Sequence, residues 1–94
     1  MKTFYKPPFR KFVKKQTRPL QLSIEDEIEK ILENPSIGES KKGDSLGFQV
    51  HKFSFKKQKL LIAYKVSPNE MLFYMVGSHE NFCRNLKKYL KEGD

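Results

Sequence analysis

Lys59-Leu60-Leu61-Ile62-Ala63-Tyr64-Lys65-Val66 is continuously apolar from Leu60 to Tyr64. A strand with one wet face alternates apolar and polar residues. A short unbroken run instead suits a central strand covered on both faces. Polar turns bracket it, Lys56-Lys57-Gln58 before and Ser67-Pro68-Asn69-Glu70 after. Beyond the turns lie two more strand candidates, Phe48 to Phe55 and Met71 to Val76. Turns this short imply antiparallel pairing of all three. Within the first, the apolar residues change phase, from Phe48 and Val50 to Phe53 and Phe55. That slip falls at His51-Lys52 and predicts a β-bulge there.

Working outward to the N-terminus, Lys2 to Tyr5 reads as a short strand. Pro7-Pro8 ends it and opens a helix, because proline suits the first helical turn. Phe9, Phe12 and Val13 fall on one face of that helix, with Arg10, Lys11, Lys14 and Lys15 on the other. A second helix carries Leu20, Ile24, Ile28, Ile31 and Leu32 as one buried stripe. Its start has two readings: Pro19 in the first turn, or a capping box formed by Ser23 with Asp26. Asn34-Pro35 ends it. Gly38 to Gly47 is loop-like in composition. At the other end, Gly77-Ser78-His79-Glu80-Asn81 leads from a buried strand into a basic amphipathic helix, Phe82 to Lys91. There Phe82, Leu86, Tyr89 and Leu90 share a face, opposite Arg84, Lys87, Lys88 and Lys91. The expected fold is α+β, in the order β-α-α-β-β-β-α. It has a small antiparallel-rich sheet, two N-terminal helices on one face and a C-terminal helix. Residues 1–94 are expected to form a single domain.

Charge is unevenly spread along this chain of net charge +8. Lys2, Lys6, Arg10, Lys11, Lys14, Lys15 and Arg18 come before any acid. Glu25, Asp26, Glu27, Glu29, Glu33 and Glu39 follow, with only Lys30 among them. Lys52, Lys56, Lys57, Lys59 and Lys65 then form a second basic block without an acid. The acidic helix reads as a solvated face. The two basic blocks together favour a phosphate-rich or acidic partner. The lone Cys83 permits no internal disulfide, and Met1 to Pro8 lacks the apolar core of a secretion signal. A cytoplasmic protein without a membrane partner is expected. A glycine-rich phosphate loop, a Cys/His zinc cluster and a nucleophile elbow are all absent from the sequence. His79 stands at the mouth of the last helix, where a side chain titrating near neutrality can give or take a proton.

In that element order, several pieces resemble the RelE/ParE superfamily of toxins from type II toxin–antitoxin pairs. They are Asn34-Pro35-Ser36-Ile37-Gly38-Glu39, Lys41-Lys42-Gly43-Asp44, Val50-His51-Lys52-Phe53, Leu61-Ile62-Ala63-Tyr64 and Gly77-Ser78-His79-Glu80-Asn81-Phe82. The combination is most similar to RelE-type members with a Gly-x-His-Glu-Asn-Phe tail. The resemblance implies an endoribonuclease (an mRNA interferase) that cuts mRNA on the ribosome, without a metal or other cofactor, and is neutralised by a cognate antitoxin. In such chemistry the 2′-hydroxyl attacks the adjacent phosphate and the 5′-oxygen leaves. The superfamily also includes ParE-like toxins, which inhibit DNA gyrase through protein contacts, a reading the His-Glu-Asn-Phe tail argues against; the departures at Cys83 and Leu61 leave open a catalytically decayed relative that only binds antitoxin and RNA.

By the same resemblance, His79 matches a position used by a catalytic His or Arg and is assigned as general acid. Glu80 is either the general base or simply an acidic first-turn residue of the last helix. His51 could serve as base, but the resemblance does not fix its position, and a strand histidine without a role is the preferred reading. Lys52 and Arg84 rank first for RNA phosphate contact, followed by Lys57 and Lys59. Cys83 replaces an aromatic residue common among relatives, and Leu61 stands where many have Arg. The basic first helix would grip ribosomal RNA or receive an acidic antitoxin segment.

Overall fold

The computed structural model describes residues 2–40, 48–80 and 82–91, with only the backbone described for Cys83 and Leu90. The run at its centre sets the layering. Strand β4 (Gln58–Ser67) lies between β3 (Gln49–Phe55) and β5 (Glu70–Ser78), antiparallel to both. Leu60, Leu61, Ile62, Ala63 and Tyr64 are all buried, each 4% exposed or less. Successive strand side chains point to opposite faces, so such a run needs a cover on each side.

Leu60, Ile62 and Tyr64 enter the larger core. There they meet Phe9 from α1 (Pro7–Lys14) and Leu20, Ile24, Ile28 and Ile31 from α2 (Arg18–Glu33). Leu61 and Ala63 enter a smaller core on the opposite face. It is closed by Phe82 and Leu86 of α3 (Phe82–Lys91) together with Val50. The sheet order is β1-β5-β4-β3-β2, with β1 (Lys2–Tyr5) on one edge and β2 (Glu39–Ser40) on the other. The predicted α+β layout holds, with the helix pair on one face.

Some details differ from the sequence reading. Glu39–Ser40 is a short strand antiparallel to β3 rather than loop, and residues 41–47 lie outside the described residues. β1 pairs in parallel with β5, from Lys2 opposite Glu70 to Tyr5 opposite Phe73. Helix α2 starts at Arg18 after Thr17, with Pro19 in its first turn, so Ser23 and Asp26 are interior residues and not a capping box. Leu32 leaves the buried stripe and is 37% exposed. β4 begins at Gln58, which shortens the preceding turn to Lys56-Lys57. No bulge falls at His51-Lys52. β3 pairs with β4 in unbroken register, and the irregularity sits between β4 and β5 at Ala63/Tyr64. The phase change has a different cause: Val50 faces the α3 core, while Phe53 faces the helix-pair core.

One buried phenol ties the chain after α2 to the sheet. Tyr64 donates a hydrogen bond from its hydroxyl to the Pro35 carbonyl at 2.7 Å and accepts one from the Gly38 N–H at 2.9 Å. Burial pushes its phenol pKa up, partly opposed by the bond from Gly38, so it stays protonated at neutral pH. Gly38 has ordinary extended backbone, φ −76°, so its conformation does not demand glycine. Space does: a Cβ there would meet the Tyr64 hydroxyl oxygen, and ring carbons at 2.9 Å. Gly38→Ala is therefore expected to cost about 1–3 kcal/mol through steric displacement. Tyr64→Phe is expected to cost about 1–3 kcal/mol because the buried Pro35 and Gly38 groups lose a partner. Urea unfolding of both variants checks this; wild-type midpoints would refute the tie.

Candidate functional site

The last strand ends at Ser78, and the next residue stays tied to the end of the central strand. The His79 N–H donates to the Lys59 carbonyl at 3.1 Å, extending the β4–β5 ladder by one step. Both His79 and Glu80 are solvent-exposed. Leu61 lies opposite Gly77 and also opposite Lys52, on the α3 face. Counting in twos along each strand puts Lys52, Lys59 and His79 at register positions of that same face, Lys59 and His79 at the end of their strands and Lys52 midway along β3. Lys52, Lys57, Lys59 and Arg84 are exposed, the last in the first turn of α3. By register, Lys52, Lys59 and His79 thus share one sheet face; Glu80 follows His79 in the chain, Lys57 lies in the β3–β4 turn, and Arg84 is two residues along α3 from the inward-packed Phe82. The side chain of Cys83 lies outside the described residues. Leu61 is buried, and the Phe82–Leu86 face of α3 packs on it. Position 61 therefore anchors a helix here, where an Arg would be a cation beneath it.

His51 does not join this group. It lies on the helix-pair face, where only 9% of its side chain is exposed, with Nε2 2.7 Å from Oε1 of Glu27 on α2. A carboxylate accepts, so the imidazole N–H is the donor. Lys30 completes the pair, with Nζ 3.0 Å from Glu27 Oε2. Burial alone would raise the Glu27 carboxyl pKa. Hydrogen bonds from His51 and Lys30, with their charges, more than offset that and keep it below the ordinary range. His51 thus ties α2 to β3. Glu27 was legible as inward-facing, since it lies three residues after Ile24 and four before Ile31, both buried.

Lys52 has a local partner too. Its ammonium is 3.7 Å from Glu39 on β2, and both side chains are about half exposed or more. A pair this exposed contributes about 0–1 kcal/mol and yields readily to a stronger anion. Three clefts are lined by described residues. One of 390 Å³ runs between α1 and α2, lined by Phe9, Val13, Ile24 and Ile28 together with Arg10, Lys14, Arg18 and Glu25. One of 530 Å³ flanks β1. One of 320 Å³ is lined by Ile37, Glu39, Val50, His51 and the candidate residue Lys52.

The family described as ParE-like toxin of type II bacterial toxin–antitoxin systems matches residues 4–87. The chain belongs to this family. Its members are toxins, each paired with a cognate antitoxin. No curated protein is similar enough to match. A solved structure, that of a conserved hypothetical protein from Helicobacter pylori, is similar at 21% identity with a TM-score of 0.48. The likeness covers 84% of this chain and 94% of that one. No described helix of this toxin is long and apolar enough to cross a membrane.

The Glu27 carboxyl supplies a pH test of the His51 tie. Its value is lowered on folding, so its contribution to stability is complete above the ordinary 4.5 and is lost as pH falls through the lowered folded value. Glu27→Gln should therefore be less stable than wild type at pH 6, with the gap closing as pH drops below 4.5. Urea midpoints at several pH values check this. A gap that widens on acidification would refute the assignment.

Proposed function

We propose that this toxin is an endoribonuclease that cleaves mRNA, with the ribosome as its working site. One observation carries the reading. His79 is exposed and backbone-tied to Lys59, at a sheet end where Lys52 occupies the same face. Cleavage needs a proton taken from the ribose 2′-oxygen, a proton given to the departing 5′-oxygen, and positive charge around the phosphoryl oxygens. His79 gives its proton to the 5′-oxygen. Glu80, adjacent in sequence, takes the 2′-hydroxyl proton. The attacking oxygen forms the new P–O bond as the bond to the 5′-oxygen breaks, leaving a 2′,3′-cyclic phosphate and a 5′-hydroxyl. Lys52, Lys59 and Arg84 supply charge. Lysine acts here as a point charge and not as a bidentate fork, so the phosphate is gripped less rigidly than arginines would grip it. His51 has no part in this scheme, because Glu27 occupies it on the other face. A cognate antitoxin neutralises the toxin, and the cytoplasm is its compartment.

The family match favours a second reading. A ParE-like toxin that inhibits DNA gyrase through protein contacts would use the same fold without chemistry at His79. Purified toxin, tested on translating ribosomes and in a gyrase supercoiling assay, separates the two. Cleavage is expected to leave cyclic-phosphate ends, to fall about 10²–10⁴-fold in His79→Ala, and to leave supercoiling untouched. Intact mRNA with blocked supercoiling would replace the nuclease reading by the gyrase one.

A further inference from the structure

The irregularity between β4 and β5 re-aims two side chains. Ala63 lies opposite Met75 and Tyr64 opposite Phe73, so Tyr74 is an extra residue on β5. An extra residue in one strand is a β-bulge, and it breaks the alternation of side chains. Phe73 and Val76 face the helix-pair core, while Tyr74 and Met75, consecutive in the chain, both pack on the α3 side. There the Tyr74 ring meets Phe48 edge-on, with centroids 4.6 Å apart and planes at 84°. Phe48 is buried and supports the pair, whereas Tyr74 stays partly exposed.

Cations flank both rings. Lys6 Nζ lies 5.6 Å from the Tyr74 ring centroid, and Lys65 Nζ 5.9 Å from that of Phe48. Lys6 follows β1, Tyr74 is on β5, Lys65 on β4, and Phe48 precedes β3. Taken in sheet order, cation and aromatic therefore alternate. The 530 Å³ cleft beside β1 adjoins this row through Lys6, with Phe4, Leu72 and Arg10 also in its wall and Glu70 as its one acid. Alternating ammonium and aromatic groups suit single-stranded nucleic acid, whose bases stack on rings while its phosphates meet the cations. An acidic peptide would use the cations but has no need of a partly exposed ring fixed edge-on.

We propose that Tyr74 is a base-stacking platform for single-stranded RNA, with Lys6 and Lys65 on the neighbouring phosphates and Phe48 setting the angle of the ring. An exposed ammonium–ring contact is weak, so a base can take the ring face and release Lys6 to phosphate. Tyr74 precedes His79 on the same sheet face, about 15 Å away along the strand. The base it holds thus belongs to a nucleotide flanking the one that is cut. This rests on the nuclease reading for the strand's destination. It gives the toxin a stacking aromatic although position 83 is Cys and Phe82 is buried in the α3 core. Tyr74 positions the strand and takes no part in the chemical step.

The test uses the whole toxin and a mixed-sequence 2′-O-methyl oligoribonucleotide carrying 5-iodouracil. That probe cannot be cleaved, so binding is read independently of any nuclease activity. Under ultraviolet light, iodouracil cross-links to an aromatic ring on which it stacks, and the cross-link is expected at Tyr74. Tyr74→Leu keeps an apolar side chain against the α3 core and removes the ring; measured well below its Tm, its affinity should fall about tenfold. The slope of log affinity against log salt should stay as in wild type, because no charge is removed. Tyr74→Phe should bind within about twofold of wild type. Lys65→Gln should weaken binding and shrink the salt slope by about 0.7, the share of one phosphate contact on a single strand. Wild-type affinity in Tyr74→Leu would overturn the inference, as would equal loss in Tyr74→Phe or cross-links confined to other residues. So would a toxin that ignores the oligonucleotide and binds a glutamate-rich peptide through Lys65, which would make the row a protein-docking surface. Cleavage on ribosomes is scored separately. A toxin that cross-links through Tyr74 and cuts nothing would fail the nuclease reading and keep the platform.

Discussion

Burial of β4 on both faces is the constraint from which the rest of this toxin follows. Leu60, Ile62 and Tyr64 require one apolar layer, and Leu61 and Ala63 require another. A fully buried large aliphatic or aromatic side chain contributes about 1.5–3 kcal/mol, so exposing either side of this strand would forfeit much of a small domain's stability. The α1–α2 pair meets the first demand and α3 the second. The need for α3 also accounts for the site. The chain leaves β5 at Ser78 and must turn at once to bring Phe82 and Leu86 back over Leu61. His79 and Glu80 occupy that turn and are exposed.

The central run, its antiparallel neighbours and the helix stripes were readable because each depends on local periodicity. The edges were not. β1 lies parallel to β5 through contacts that reach across almost the whole chain, and nothing within Lys2–Tyr5 encodes that choice. β2 is two residues long, too short for any alternation to show. The misplaced bulge has a more specific cause. A polar residue was counted as solvent-facing, yet His51 lies on a core face and is satisfied there by Glu27. With His51 facing inward, β3 needs no slip: Gln49, His51, Phe53 and Phe55 share one face, and Val50, Lys52 and Ser54 the other. α3 covers only the Val50 end of that second face, so the later positions are wet.

In the candidate region, the exposure of His79 was legible because it falls where a buried strand gives way to an amphipathic helix; Gly77 and Ser78 are still strand, paired with Leu61 and Leu60. The positive-φ conformation of Lys56 and Lys57 was not. Those residues read only as a polar turn, since the sign of φ depends on a loop length fixed by the Phe55–Gln58 pairing. The two histidines share an intrinsic chemistry and have opposite surroundings. One is engaged by the partly buried Glu27 carboxylate, and the other is presented at the sheet end.

The sheet also sorts charge. On the helix-pair layer, the exposed Arg10, Lys11, Lys14, Lys15, Arg18 and Lys30 are partly offset by Glu25, Asp26, Glu29 and Glu33. Among the described residues, the α3 layer and its sheet face carry Lys52, Lys59, Lys65, Arg84, Lys87, Lys88 and Lys91, with Glu39 and Glu80 as nearby acids. The molecule is 21 Å through its shortest axis, whereas charges are screened over about 8 Å at physiological ionic strength. Acids on α2 therefore do little to weaken the field beside α3. A polyanion approaching the toxin meets a surface more positive than an even spread of its net charge would give. By register that face is also the one on which His79 stands, because β4 required a helix there and the chain turns at His79 to supply it.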